Sequence, residues 1–269
     1  MGIRGAFMIF GRTRAPSLAL GSVLILLLAL PAVGLLSSTS LSGLMAGVKH
    51  PSFVPALLVS FRTTVVSVLI ILGLGTPLAW WLAGSQGVRA QVVEGLVDLP
   101  VVLPPSVVGI ALLQTYGGRG LLGPTLDAMG WNLPFTSAAV VMAQVVVASP
   151  FYVRAAVAAF RRLDEDLFVV ARTLGASPTE AVLRVALPMS APALAGGLAL
   201  AWARAVGEFG ATLLFAGNRS GVTQTMPLAI YSTLEVDIHG AVALALLLAA
   251  LSALVLAAFR GLLGRAGQR

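Results

Sequence analysis

VVARTLGASPTEAVLRVALP, residues 169–188, is unlike the sequence on either side of it. Its surroundings are long apolar runs, whereas this stretch carries Arg172, Arg184, Glu180, a small-residue break at Gly175 and two prolines. Just upstream, Asp164, Glu165 and Asp166 suit the positive end of a helix dipole, so a short helix is expected to begin there. Leu167, Val170, Ala171 and Leu174 then recur at helical spacing and form one apolar stripe. Gly175 is the expected C-terminal stop. Ser177-Pro178-Thr179-Glu180 reads as a capping box with proline at the first helical position, and Pro188 is expected to end this second helix. The segment is therefore two short helices joined at a glycine elbow and kept out of a bilayer by charge. Two readings of its apolar side stand: it packs on its own helices or in the headgroup layer, or it docks a cytoplasmic partner.

The rest of the chain supplies the membrane. Of its 269 residues 58% are hydrophobic and only 10% charged, against about 25% charged in soluble domains. Several runs reach the ~20 apolar residues that a spanning helix needs. Six spans are read: 18–36, 56–83, 92–115, 136–160, 193–216 and 240–259. Pro100, Pro104 and Pro105 interrupt the third, and their freed carbonyls argue that it is buried among other helices. The first run is longer than a signal-peptide core and lacks a clear cleavage site, which favours a retained helix. An all-α integral membrane protein with both termini cytoplasmic follows. Arg4, Arg12, Arg14, Arg89, Arg154, Arg161, Arg162, Arg172, Arg184, Arg260, Arg265 and Arg269 fall on one side, and Lys49, Arg119 and Arg219 on the other. The domain plan is a cytoplasmic segment 1–17, a transmembrane domain 18–260 whose cytoplasmic loop is 161–191, and a tail 261–269.

Competing chemistries lack their residues. Cysteine is absent, and His50 and His239 each stand alone in a loop, so no metal ligand set is assigned. Net charge is +7, yet no nucleic-acid motif accompanies it. The single lysine, Lys49, is in no phosphate-binding loop, so an ATPase would be a separate polypeptide. Asp164, Glu165 and Asp166 read as a solvated run, not a catalytic pair. Within the fifth span, Arg204 and Glu208 share a helix face at i, i+4. An unpaired ion near the bilayer centre costs at least ~2.5–3.5 kcal/mol. These two are either a pathway or gate element or a structural ion pair. Gln114, Gln144, Ser149 and Thr212 either offer weak hydrogen bonds along a route or pack the core. Arg62 near the end of the second span is read as snorkelling to headgroups.

Residues 169–188 resemble the cytoplasmic coupling loop of permease subunits of ATP-binding cassette importers. Ala171, Gly175, Val185, Leu187 and Pro188 fit that family's pattern, while Val169 and Val170 stand where it usually has Glu-Ala. Leu99-Pro100, Leu103-Pro104-Pro105, Val108-Gly109, Gly118-Arg119-Gly120, Gly207-Glu208-Phe209-Gly210-Ala211-Thr212, Ala216-Gly217-Asn218, Thr223, Thr225 and Pro227-Leu228-Ala229-Ile230-Tyr231 are similar to the molybdate and tungstate branch. The likeness runs over roughly residues 55 to 260.

It implies a type I importer permease of six helices, working as a homodimer in the cell membrane. Ala171, Arg172, Thr173, Leu174, Gly175, Ala176, Ser177, Pro178, Glu180, Leu187 and Pro188 would couple it to two ATPase subunits. Arg204, Glu208, Phe209 and Thr212 would line or gate the route. No cofactor is expected on this chain, with ATP and magnesium on the partner ATPase. An extracytoplasmic oxyanion-binding protein would dock near residues 37–55, 116–135 and 217–239 and carry the affinity, since an unpaired Glu208 would repel a dianion. The short stretch after the sixth span leaves no room for a regulatory domain. The alternatives are a sulfate or thiosulfate permease of the same family, an ion-coupled secondary transporter using Arg204 and Glu208, and a non-transporting scaffold.

Overall fold

The computed structural model describes residues 14–266; Arg4, Arg12 and Arg269 of the charge balance lie outside them. Every regular element among the described residues is helical. In chain order these are α1 (Arg14–Ser37), α2 (Leu41–Val48), α3 (Phe53–Gly84), α4 (Val88–Val102), α5 (Pro105–Tyr116), α6 (Gly123–Ala128) and α7 (Ser137–Phe160). There follow α8 (Glu165–Thr173), α9 (Pro178–Ala181), a π turn (Val182–Ala186), α10 (Leu187–Val206), α11 (Gly210–Ala216), α12 (Met226–Leu234) and α13 (Ile238–Ala266). Five helical stretches are long and apolar enough to cross a membrane, and a bent pair, α4 with α5, makes up to six.

The core lies where α3, α7 and α10 pack together. Ile71, Ala79, Tyr152, Ala156, Ala201 and Ala205 are buried there, and the four alanines let the helices approach closely. One polar knot ties the three. Gln144 is 1% exposed. Its Nε2 donates to Thr64 Oγ1 at 3.3 Å and to the Ala205 carbonyl at 3.2 Å, while Ser67 Oγ donates to its Oε1 at 2.9 Å. Gln144 thus belongs to the core. A second apolar cluster joins α5, α7 and α11, where a Cβ on Gly109 would come within 2.9 Å of the Ala211 backbone. Only a glycine lets α5 lie this close to α11. By contrast, none of Leu20–Ser37 in α1 is buried within the protomer.

Three expectations are corrected. The third span is not a kinked rod buried among others. Its two halves meet at 116°, and Pro104 and Pro105 are exposed. The bend is closed by local bonds: Val107 and Val108 donate to the Pro104 carbonyl, and Leu103 donates to that of Leu99. Pro188 does not end a helix either. Residues 178–206 form one continuous helical stretch, because the π turn passes the Leu187 N–H to the Val182 carbonyl and so accommodates the proline beside it. The helix that carries the fifth span therefore begins well before residue 193. It also stops at Val206 instead of continuing to Ala216, since Gly207-Glu208-Phe209 breaks the backbone before α11 starts.

Replacing Gln144 with leucine removes all three of the cross-helix bonds that its amide makes, while the Ala205 carbonyl keeps the Glu208 N–H and Ser67 Oγ keeps the Thr63 carbonyl. The expected result is a loss of about 1–2 kcal/mol, read as a lower Tm of the purified chain in detergent, with membrane insertion unchanged.

Candidate functional site

The elbow is built as its sequence suggests. Asp164 caps α8 by accepting the Asp166 N–H at 3.0 Å. At the other end Gly175 has φ +90°, the Gly175 N–H donates to the Arg172 carbonyl and the Ala176 N–H to that of Ala171, each at 3.0 Å. This is the paired closure of a Schellman turn. The next helix opens at once. Ser177 Oγ accepts the Glu180 N–H at 3.2 Å, and Glu180 Oε2 accepts the Ser177 N–H at 2.9 Å, completing the capping box. Arg184 lies 3.4 Å from Glu180 Oε1. The N–H groups of Gly175, Ala176, Ser177 and Glu180 are thus all paired within the elbow.

An open groove of about 580 Å³ runs between the two arms of the elbow, lined by Leu167, Val170, Ala171, Leu174, Ala181 and Val185 with Asp164, Asp166, Glu180 and Arg184 at its edges. Gly175 and Ala176 close its end. Leu174 is 83% exposed, and Val169, Val170 and Leu183 are also exposed. The apolar stripe is thus split: Ala171 is buried, while Val170 and Leu174 face outward. Arg172, Thr173, Ser177 and Pro178 lie on the outer surface of the elbow, while Leu187 packs into the bundle core and Pro188 is exposed on the membrane helix beyond.

The elbow is fastened to the bundle by a residue the sequence reading passes over. The Phe168 ring lies 5.8 Å from Trp80, which meets Phe160 edge-on at 5.3 Å. Aromatic residues this close to a membrane helix end were the available signal. Also passed over are Glu94 and Asp98, one turn apart on α4. Asp98 pairs with Arg154, and Arg161 lies 2.5 Å from Glu94 and donates to the Leu82 carbonyl. These pairs hold α4 against α7 at the elbow end. Two acids at i, i+4, facing two arginines on one face of the next long helix, were legible as a charged seam.

At the break after α10, Arg204 and Glu208 come together. Arg204 Nη1 is 2.6 Å from Glu208 Oε2, an ion pair by proximity whose geometry is not that of a hydrogen bond. Glu208 is 1% exposed, and its other oxygen accepts the Ala211 N–H at 2.7 Å. One carboxylate therefore neutralises Arg204 and supplies the acceptor that the first turn of α11 lacks. Phe209 packs on Tyr231 of α12 with ring centroids 5.3 Å apart. Thr212 is buried, and its Oγ1 has no hydrogen-bond partner. The elbow and this break are separate sites on one helical stretch, 178–206 and its continuation.

His50 and His239 do not stand apart: both line one pocket with Lys49 and Asp237. Among the described residues no group of three His, Asp or Glu side chains is placed to hold a metal ion.

Residues 75–266 match the family model described as a binding-protein-dependent transport system inner membrane component. Over 231 residues the chain is 44% identical to the molybdenum transport system permease protein ModB of Mycobacterium tuberculosis, covering 86% of this chain and 88% of that protein. It is 36% identical over 232 residues to the probable transport system permease protein NifC of Clostridium pasteurianum, covering 86% and 81%. In fold it is similar to a bacterial ABC transporter involved in the import of the acidic polysaccharide alginate, with TM-score 0.73, 16% identity and coverage of 97% and 98%. It is also similar to the MetNI methionine ABC transporter in an inward-facing conformation, with TM-score 0.62, 18% identity and coverage of 80% and 96%.

The Arg204–Glu208 pair generates a stability test. Arg204→Met leaves a buried carboxylate without its counter-ion and should cost more than Arg204→Met combined with Glu208→Gln, which removes the charge but retains an oxygen for the Ala211 N–H. The expected recovery in the double variant is roughly 1 kcal/mol or more, measured as Tm of the purified chain.

Proposed function

We propose, for a chain that belongs to the family of inner membrane components of binding-protein-dependent transport systems, that it is the permease of an ATP-driven molybdate importer. The 44% identity to ModB over most of both chains carries the cargo assignment. The open, apolar elbow supports the coupling role. An exposed apolar groove of this kind is costly unless covered, and its edges already carry charges that keep it out of lipid.

In this reading the chain hydrolyses nothing. Two copies form a homodimer with the route along their two-fold axis, and an ATPase subunit grips each elbow through Ala171, Leu174, Gly175 and Ala176. Arg172, Thr173, Ser177, Pro178 and Glu180 form the rim of the grip, while Leu187 and Pro188 pass its motion into α10. The elbow lies on the cytoplasmic side with both termini, a placement the arginine asymmetry supports. An extracytoplasmic oxyanion-binding protein delivers the cargo to the opposite end. Closure of the ATPases on ATP and magnesium turns the elbow, which the Trp80–Phe168 contact and the α4–α7 ion pairs join to the bundle. Arg204, Glu208, Phe209 and Thr212 form the gate, where the paired carboxylate presents little net charge to a passing dianion. An ion-coupled carrier would need these charges to titrate or exchange during transport, whereas here each already engages the other.

The test is uptake of labelled molybdate into sealed vesicles holding the permease, its ATPase and its capture protein. Uptake should require ATP and survive an uncoupler; uptake that stops with the uncoupler and ignores ATP rejects the reading. Leu174→Asp, placed in the apolar grip, should lower uptake by more than roughly tenfold while ATP hydrolysis and membrane insertion persist.

A further inference from the structure

A second groove, of about 580 Å³, lies between α3 and α13. Leu57, Phe61, Val65 and Leu69 form one wall, Val255 and Phe259 part of the other, and Trp202 belongs to its floor. It is almost wholly apolar. The two hydroxyls that α3 brings to it are already engaged: Ser60 Oγ accepts the Met226 N–H, and Thr64 Oγ1 accepts from Gln144. An oxyanion finds nothing here. From Leu57 to Leu69 the groove runs ~18 Å along α3 at ~1.5 Å per residue, close to the ~15 Å depth of one leaflet of a ~30 Å hydrocarbon core.

Arg62 stands on the rim of this groove, four residues after Leu58 and three before Val65, both of which line it. It is exposed and has no ion-pair partner among the described residues. Its depth follows from length. The 32 residues of α3 span ~48 Å, so a centred helix overhangs the ~30 Å core by ~9 Å at each end. Arg62, nine residues after Phe53, is then ~14 Å along the helix and ~5 Å below the core boundary. A guanidinium at that depth reaches up to a phosphate.

We infer that this groove holds one acyl chain of an anionic phospholipid whose phosphate is bound by Arg62. The rival occupant is a protein helix, and the unburied one is α1, of this chain or of a second copy. Residues 14–37 contain no Asp or Glu, so α1 seated there would cover the guanidinium and give it no counter-charge. A phospholipid supplies both the hydrocarbon and the anion.

The chain has four tryptophans, and Trp202 lines the groove. Trp80→Phe, Trp81→Phe and Trp131→Phe together leave it as the sole reporter. The variant is placed in phosphatidylcholine vesicles doped with either dibromo-phosphatidylglycerol or dibromo-phosphatidylcholine, brominated on the acyl chains. Phosphatidylglycerol should quench Trp202 with a relative binding constant about fivefold higher, and Arg62→Gln should abolish that preference. Equal quenching by both lipids, or a preference that survives Arg62→Gln, marks ordinary annular lipid and overturns the assignment. No quenching by either lipid means that protein covers the groove, which also overturns it. Should the triple replacement fail to fold, native mass spectrometry of the otherwise unaltered chain decides: phosphatidylglycerol retained after delipidation and lost in Arg62→Gln supports the site, and retention that is absent or indifferent to Arg62 removes it.

Discussion

Hydrocarbon does not hydrogen-bond, so each backbone N–H and C=O in a spanning segment must find its partner inside the protein. This chain interrupts its helices repeatedly, and each interruption is organised around that obligation. Before Pro188 the backbone widens into a π turn, so that Leu187 donates to Val182. After Val206 the helix stops, and the Glu208 carboxylate accepts the N–H of Ala211 so that α11 can begin. At the 116° bend between α4 and α5, short local bonds around Pro104 close the turn. Where the backbone is regular, side chains take on the cross-linking, as Gln144 does between three helices.

The same obligation separates rigid from adjustable parts. α3, α7 and α10 share small residues, a buried amide and a continuous core. α5 and α11 are pressed together over Gly109, so they form a second compact unit against α7. Glu208 sits where α10 gives way to α11, with one oxygen assigned to each side of the break. The carboxylate that makes the discontinuity tolerable also joins the two pieces. α4 is fastened near its middle by Asp98 and Glu94 and packs on the core through Ala90, Val93 and Val97, and the Leu103–Pro104 bend separates it from α5.

Much of this was legible from residues alone, and what was not has identifiable causes. Long apolar runs placed the spanning helices, because length and polarity suffice in a bilayer. Both ends of the elbow were readable too, since Gly175 and Ser177-Pro178-Thr179-Glu180 act through local backbone geometry. The course of the chain past Pro188 was not. A proline reads as a stop unless a widened turn precedes it, and nothing in Val182–Ala186 announces one. The break at Gly207 was hidden for a related reason: Arg204 and Glu208 at i, i+4 look like one helix face, and only the forward reach of the carboxylate to Ala211 reveals the end. Phe168, and the pairing of Glu94 and Asp98 with Arg161 and Arg154, depend on which helices become neighbours. The apparent isolation of His50 and His239 was a matter of sequence distance that folding removes.

The Schellman turn and the capping box lie back to back at Gly175–Ser177, and each is satisfied from within. A subunit clasping this joint, as proposed, would meet contour, side chains and carbonyls, because the N–H groups of Gly175, Ala176 and Ser177 are already claimed. Recognition by contour is forgiving of substitution in the clasping surface so long as the hollow keeps its form. In the proposed coupling role, such a joint would suit interchange among clasping subunits whose hollows share one curvature.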